Sequence, residues 1–183
     1  MLLRALSERT PDLGSHVRDV AVLAQETALR LGLPFEEVEQ VRLAAEMHDI
    51  GKVAIPDAIL DKCGPLDRSE WNFIRRHTLI GERILTAAPA LRTVAAVVRS
   101  SHENVDGSGY PDGLAGSEIP IGSRIVAVCD AFNAMTTNRA YRVATEDEAA
   151  IAELRRCAGA QFDAEVVECF CAAVAERAAA PVA

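Results

Sequence analysis

The stretch Met47-His48-Asp49-Ile50-Gly51-Lys52 sets a histidine and an aspartate side by side at the end of an apolar run, with a glycine shortly after. Adjacent residues diverge by about 100° around a helix. From the last turn of a helix, however, both side chains can lean toward one ion. The imidazole offers one nitrogen to a metal, and the carboxylate offers two oxygens that can bridge a pair of ions. A His-Asp pair alone is common by chance, so its meaning rests on the other donors of the chain. The four histidines, His16, His48, His77 and His102, fall in or at the ends of different predicted helices. Asp130 follows the apolar run Ile125-Val126-Ala127-Val128-Cys129, where an uncompensated carboxylate is costly to bury. A helical bundle that gathers such residues in its interior can build a metal site from several helices.

The elements that must position these donors read as helices throughout. Val17, Val20, Ala21, Ala24 and Ala28 make one apolar face over residues 13–31. Pro34 opens a second helix whose stripe, Val38, Val41 and Ala45, ends on His48, with Gly51 expected to stop it. Asp67 and Glu70 have capping-box spacing for a helix carrying Trp71, Phe73, Ile74 and His77, which Thr78 to Leu85 either continues or restarts. Leu91, Val94, Val97 and Val98 mark a helix ending near His102. Between Glu103 and Pro120 the glycines and prolines exclude regular helix, and an irregular stretch of that length inside a compact domain is more often functional than not. Helical spacing resumes with Ile125, Val128, Phe132 and Met135. Thr145 and Glu148 predict a cap for the next helix, and Asp163 caps a last one, with a frayed tail from Ala178 to Ala183. With no credible strands, repeats or linkers, the reading is a single all-α domain over residues 1–183, its core about 13–176.

The 183 residues carry a net charge of −8, which argues against broad electrostatic binding to nucleic acid or an anionic membrane. A small anionic substrate remains compatible, because local cations or metals can hold it. Aromatics are only 4%, so an aliphatic core is expected. Cys63, Cys129, Cys157, Cys169 and Cys171 form no Cys-x-x-Cys pair, and the odd count without a signal peptide fits reduced thiols in the cytoplasm. No apolar run reaches the ~18 residues of a membrane span.

Taken together, His48-Asp49-Ile50-Gly51-Lys52, Arg75-Arg76-His77, His102-Glu103 followed by Asp106-Gly107-Ser108-Gly109-Tyr110-Pro111, and Asp130 resemble the HD-GYP family, over nearly the whole chain. The resemblance implies an HD-superfamily helical bundle with an interior metal site of two or three ions, usually iron or manganese. It implies a phosphodiesterase that hydrolyses cyclic di-GMP to pGpG and onward to GMP. Carried over, one ion takes His16, His48, Asp49 and Asp130. Asp49 bridges to a second ion held by His77 and His102, and Asp12 is the candidate for a third. Lys52 contacts phosphate and joins His48 and Asp49 in the catalytic set. Gly109, Tyr110 and Pro111 shape the loop beside the substrate, and Arg139 and Arg142 match the family's basic stretch. The chain departs from the family's His-His-Glu by reading Ser101-His102-Glu103. That departure keeps a second reading open: a degenerate module that binds cyclic di-GMP or a GGDEF-type cyclase without turnover. A sensor or receiver domain is a further expected partner.

Overall fold

The computed structural model describes residues 13–62, 64–138 and 143–179, with side chains from residue 17 onward. Nine α-helices occur among them: α1 (Leu13–Arg30), α2 (Phe35–Met47), α3 (Asp57–Leu60), α4 (Arg68–Arg75), α5 (His77–Thr86), α6 (Arg92–Arg99), α7 (Ile121–Thr136), α8 (Asp147–Arg156) and α9 (Ala164–Ala179). No strand occurs among the described residues, only the isolated bridges Asp106–Ala115 and Ala158–Phe162. The all-α reading holds. None of these helices is long and apolar enough to cross a membrane.

α1 packs on α2, α7 and α9, while α2 also meets α6 and α7. Val20, Val38, Val98, Ile125, Val128 and Leu154 are fully buried where these faces meet. The core is mostly aliphatic, as the composition predicts; its aromatics are Phe162 and the pair Phe132 and Phe170, set edge-on at 5.0 Å. The polar Ser123 enters this core because its hydroxyl donates to Val97 O, 2.8 Å away.

Two predicted caps are present. Asp67 Oδ1 accepts from the N–H groups of Ser69 and Glu70, and Glu70 Oε2 accepts from the Asp67 N–H. Asp163 Oδ1 accepts from the N–H of Glu165 and of Val166, while its other oxygen pairs with Arg124 at 2.5 Å. The Thr145–Glu148 cap is absent: α8 begins at Asp147 with Glu146 at its N-cap and no side-chain cap. Of the tail expected to fray, Ala178 and Ala179 belong to the last turn of α9. Residues 180–183 lie outside the described set.

Two further expectations change in ways that matter for the site. Of the two readings left open, the restart holds, but one residue earlier: α4 stops at Arg75 and α5 begins at His77, so Trp71 and His77 lie on different helices. Trp71 and Phe73 are left about half exposed. Gly51 does not stop α2, which ends at Met47 with His48 as its C-cap. Gly51 sits in a tight 3-10 turn, Ile50–Ala54, against the first turn of α5. A Cβ on Gly51 would lie 1.9 Å from His77 O and 2.7 Å from Gly81 N, both backbone atoms. The missing side chain is what brings the His48-Asp49 segment alongside His77. Gly51→Ala is therefore expected to cost about 2 kcal/mol or more, as overpacking against a rigid partner does. Urea unfolding checks this, and an unchanged midpoint would contradict the contact.

Candidate metal centre and cleft

The last turn of α2 delivers His48 and the first residue of α5 is His77. The same device orients both rings. His48 Nδ1 is 2.7 Å from Ala45 O, and His77 Nδ1 is 2.7 Å from Ile74 O. A carbonyl can only accept, so each Nδ1 carries a proton and each Nε2 points forward. Both residues are only 1% exposed.

Asp49 lies between the two rings. Its Oδ2 is 3.6 Å from His48 Nε2, and its Oδ1 is 3.6 Å from His77 Nε2. Asp130, from α7, reaches in from the other side with Oδ1 3.6 Å from His48 Nε2. These separations are too long for hydrogen bonds. His102 closes the group: donor atoms of Asp49, His77 and His102 all lie within 4.8 Å of one another. Asp49 Oδ1, His77 Nε2 and His102 Nε2 are buried with no hydrogen-bond partner.

A divalent ion bound at about 2.0–2.2 Å separates neighbouring donors by roughly 3.0–3.4 Å and opposite ones by about 4.2 Å. The 3.6 Å between Asp49 Oδ1 and His77 Nε2 lies between those two values. Buried donors left unsatisfied, of imidazole and carboxylate type, fit a borderline transition metal. Lys52 adds a cation at the edge, with Nζ 2.6 Å from Asp49 Oδ2.

The charges sort the three described histidines. Burial opposes protonation of His48, but the carboxylates of Asp49 and Asp130 outweigh it and hold its value up at about 9. His77 is held below the ordinary value by burial, with Asp49 as its main opposing charge and Lys52 working against it. Burial, aided by His77, pushes His102 down to about 4. Burial also opposes ionisation of Asp49, yet Lys52, His48 and His77 hold its carboxyl well below the usual range.

The loop after α6 covers the group and is pinned from below. Glu103, 3% exposed, accepts from the N–H groups of Asp112 and Gly113 through Oε1, at 2.7 and 3.1 Å. Arg99 grips Asp112 with two bonds of 2.7 and 2.8 Å while holding Glu82 of α5. Gly109 passes so close to Asn104 that a Cβ would meet its N at 2.3 Å. The loop thereby lays the Tyr110 ring on His102, stacked at 5.1 Å, with the Arg75 guanidinium 5.1 Å from the Tyr110 centroid. Sequence reasoning did not single out Arg99 or Glu103 for this task, nor Arg75 for its seat on Tyr110.

Beside the donors opens a cleft of about 280 Å³, whose lining includes His102, Asp130, Gly109, Tyr110, Arg75 and Trp71. Pro111 is not among the lining residues. A larger hollow of about 660 Å³ lies between α1 and α9, but its charged groups pair with each other, Arg30 with Glu176 and Arg177 with Glu26. The smaller cleft is the candidate site. Of the residues singled out from sequence, His48, Asp49, Lys52, His77, His102 and Asp130 come together. His16 lies on α1 but its side chain is outside the described set, as are Asp12, Arg139 and Arg142.

The raised His48 value gives a pH prediction. Folding favours the charged ring, so this contribution to stability is complete below the ordinary value of 6.5 and is lost as pH rises through about 9. In metal-free protein the His48 ring should titrate near pH 9 by NMR, and Asp130→Asn should lower that value. A ring unmoved by the substitution would contradict the pairing.

Comparison with known proteins fits this geometry. The HD domain family matches residues 1–166. A 3'3'-cGAMP-specific phosphodiesterase 2 of Vibrio cholerae is 37% identical over 169 residues, covering 91% of this chain and 32% of the relative. A cyclic di-GMP phosphodiesterase of Thermotoga maritima is 41% identical over 172 residues, covering 92% and 47% respectively. The chain thus spans about a third to a half of the relatives it matches. In fold it is similar to an HDG"Y"P protein from Bdellovibrio bacteriovorus, with a TM-score of 0.71 at 19% identity, covering 89% of this chain and 52% of that one. The chain belongs to the HD domain family and, within it, to the HD-GYP type.

Proposed function

We propose that this chain is a metal-dependent phosphodiesterase that opens cyclic di-GMP to linear pGpG, with GMP following if the linear product is cut again. The observation that carries the reading is the cluster of Asp49, His77 and His102, buried donors within 4.8 Å of one another at the edge of a cleft. Relatives named as phosphodiesterases of cyclic di-GMP or 3'3'-cGAMP support the substrate class.

In this reading His48, Asp49, Asp130 and His16 hold one ion. Asp49 also reaches a second, with His77 and His102, and Asp12 serves a third. Iron and manganese suit a donor set of imidazole and carboxylate without thiolate. Such ions polarise phosphoryl oxygens and supply hydroxide at neutral pH when bound. Lys52 brings a fixed positive charge to the place where phosphate charge grows, and its partner Asp49 keeps it there. Arg139 and Arg142 take phosphate oxygens. The Tyr110 loop walls the cleft and limits water around the reacting phosphate. The reading treats residues 1–183 as one catalytic unit. Free Cys129, Cys157, Cys169 and Cys171 agree with a reducing cytoplasm.

Ser101 supports the competing reading of a module that binds without turnover. It is 2% exposed, and its hydroxyl donates to Val98 O at 2.9 Å, so it brings no imidazole to the second ion. Asp49, His77 and His102 would remain to hold that ion.

Anaerobic purification followed by metal analysis and turnover of cyclic di-GMP and 3'3'-cGAMP on one sample separates the readings. About two ions per chain with pGpG formation is the expected result. No bound metal after purification with iron or manganese present, and no hydrolysis of either nucleotide, would overturn the enzyme and leave the binding module. His48→Ala and Asp49→Ala should each abolish hydrolysis and reduce bound metal while preserving helical content, Asp49→Ala more severely. Ser101→His should raise second-ion occupancy and the rate at limiting metal. Identical metal titrations for wild type and this variant would place Ser101 away from the ion.

A further inference from the structure

The proposed reaction leaves one part of the cleft without a task. The cleft shares His102 and Asp130 with the donor cluster, and its wall continues to Tyr110, Arg75 and Trp71. A phosphate held at the donors would therefore set the attached nucleoside against those three residues. At about 280 Å³ the space lies just below the usual range for ligand pockets, room for one nucleotide and not for a whole cyclic dinucleotide.

Arg75 is placed unlike the other arginines near the loop. Arg99 is consumed by Asp112 and Glu82, and Arg124 by Asp163. The Arg75 guanidinium lies instead near two aromatic rings, 5.1 Å from the Tyr110 centroid and 5.8 Å from that of Trp71. Among the described residues it makes no ion pair. Such contacts hold the guanidinium by cation–π attraction while leaving its N–H fork open. Trp71, 46% exposed, offers an indole face on which a base can stack.

We propose that Arg75, seated on Tyr110 beside Trp71, reads a guanine base of the substrate through O6 and N7, so that the nucleotide entering this cleft is selected as guanine over adenine. The chemistry of the two bases decides the preference. Guanine presents two adjacent acceptors on that edge, which match the paired donors of the fork. Adenine presents N7 beside an amino group, so one Arg donor meets another donor. The capping box of Asp67 and Glu70 serves this arrangement by fixing the start of α4, from which both Trp71 and Arg75 project. This inference rests on the cyclic dinucleotide reading and adds which base the site recognises.

Trp71 is the sole tryptophan of the chain, so its fluorescence reports on this cleft alone. The metal-loaded protein is titrated with GMP and with AMP, and initial rates are compared for cyclic di-GMP and cyclic di-AMP. GMP should quench Trp71 with about tenfold tighter binding than AMP, the size expected of one bidentate base contact. Arg75→Ala and Arg75→Lys should bring the two nucleotides within about twofold by weakening GMP, with AMP unchanged and the far-ultraviolet circular dichroism intact. The cyclic di-GMP preference should fall by a similar factor, mainly through KM. Lysine keeps the charge but loses the fork, so a Lys variant that retained the preference would mean that the base is read elsewhere and overturn the inference. Equal weakening of GMP and AMP, equal binding of both by the wild type, or no quenching by either would also overturn it. Hydrolysis of cyclic di-GMP without guanine preference defeats this inference and leaves the proposed function standing. Selective GMP quenching without hydrolysis does the reverse.

Discussion

Asp49 holds one carboxylate between two imidazoles that approach it to 3.6 Å without hydrogen-bonding to it. Its Oδ1 is buried and has no hydrogen-bond partner, and neither has the facing Nε2 of His77. Polar atoms in that state cost roughly 1–3 kcal/mol each, more where a charge is involved. A folded chain tolerates the arrangement if something positive fills the gap. Lys52 does so on one oxygen only. The rest of the site is arranged around the remaining deficit: two backbone carbonyls turn the rings inward, α7 supplies Asp130, and His102 completes the ring of donors.

Holding these groups together requires close backbone approach and rigid covering. Gly51 provides the first, because no side chain separates the His48-Asp49 turn from α5. The second comes from the clamp on the loop, where Glu103 takes two backbone N–H groups and Arg99 ties Asp112 to α5. The loop in turn sets Tyr110 on His102 and under Arg75, so the metal donors and the cleft wall are parts of one packed unit.

Features set by local chemistry could be read from the sequence. The stripe Val38, Val41, Ala45, His48 announced a buried histidine by helical spacing, and the ring is 1% exposed. The caps at Asp67 and Asp163 follow from short-range hydrogen bonds. Features set by distant neighbours could not. The break between Arg75 and His77 has no proline or glycine to mark it, and the half exposure of Trp71 and Phe73 follows from α4 burying no residue of its own. Gly51 looked like a helix stop because the backbone it must admit lies 26 residues further along, at His77. Glu103 gave no sign of its role because its partners are the N–H groups of Asp112 and Gly113 nine and ten residues away. Thr145 and Glu148 had the spacing of a cap, but α8 starts at Asp147, one residue too late for that pair.

The central claim is that the gap between Asp49, His77 and His102 is a metal position. Anomalous diffraction from crystals grown with manganese tests it most directly. The account predicts a peak within bonding distance of Asp49 Oδ1, His77 Nε2 and His102 Nε2. A manganese-loaded crystal with no peak between those three atoms would contradict it.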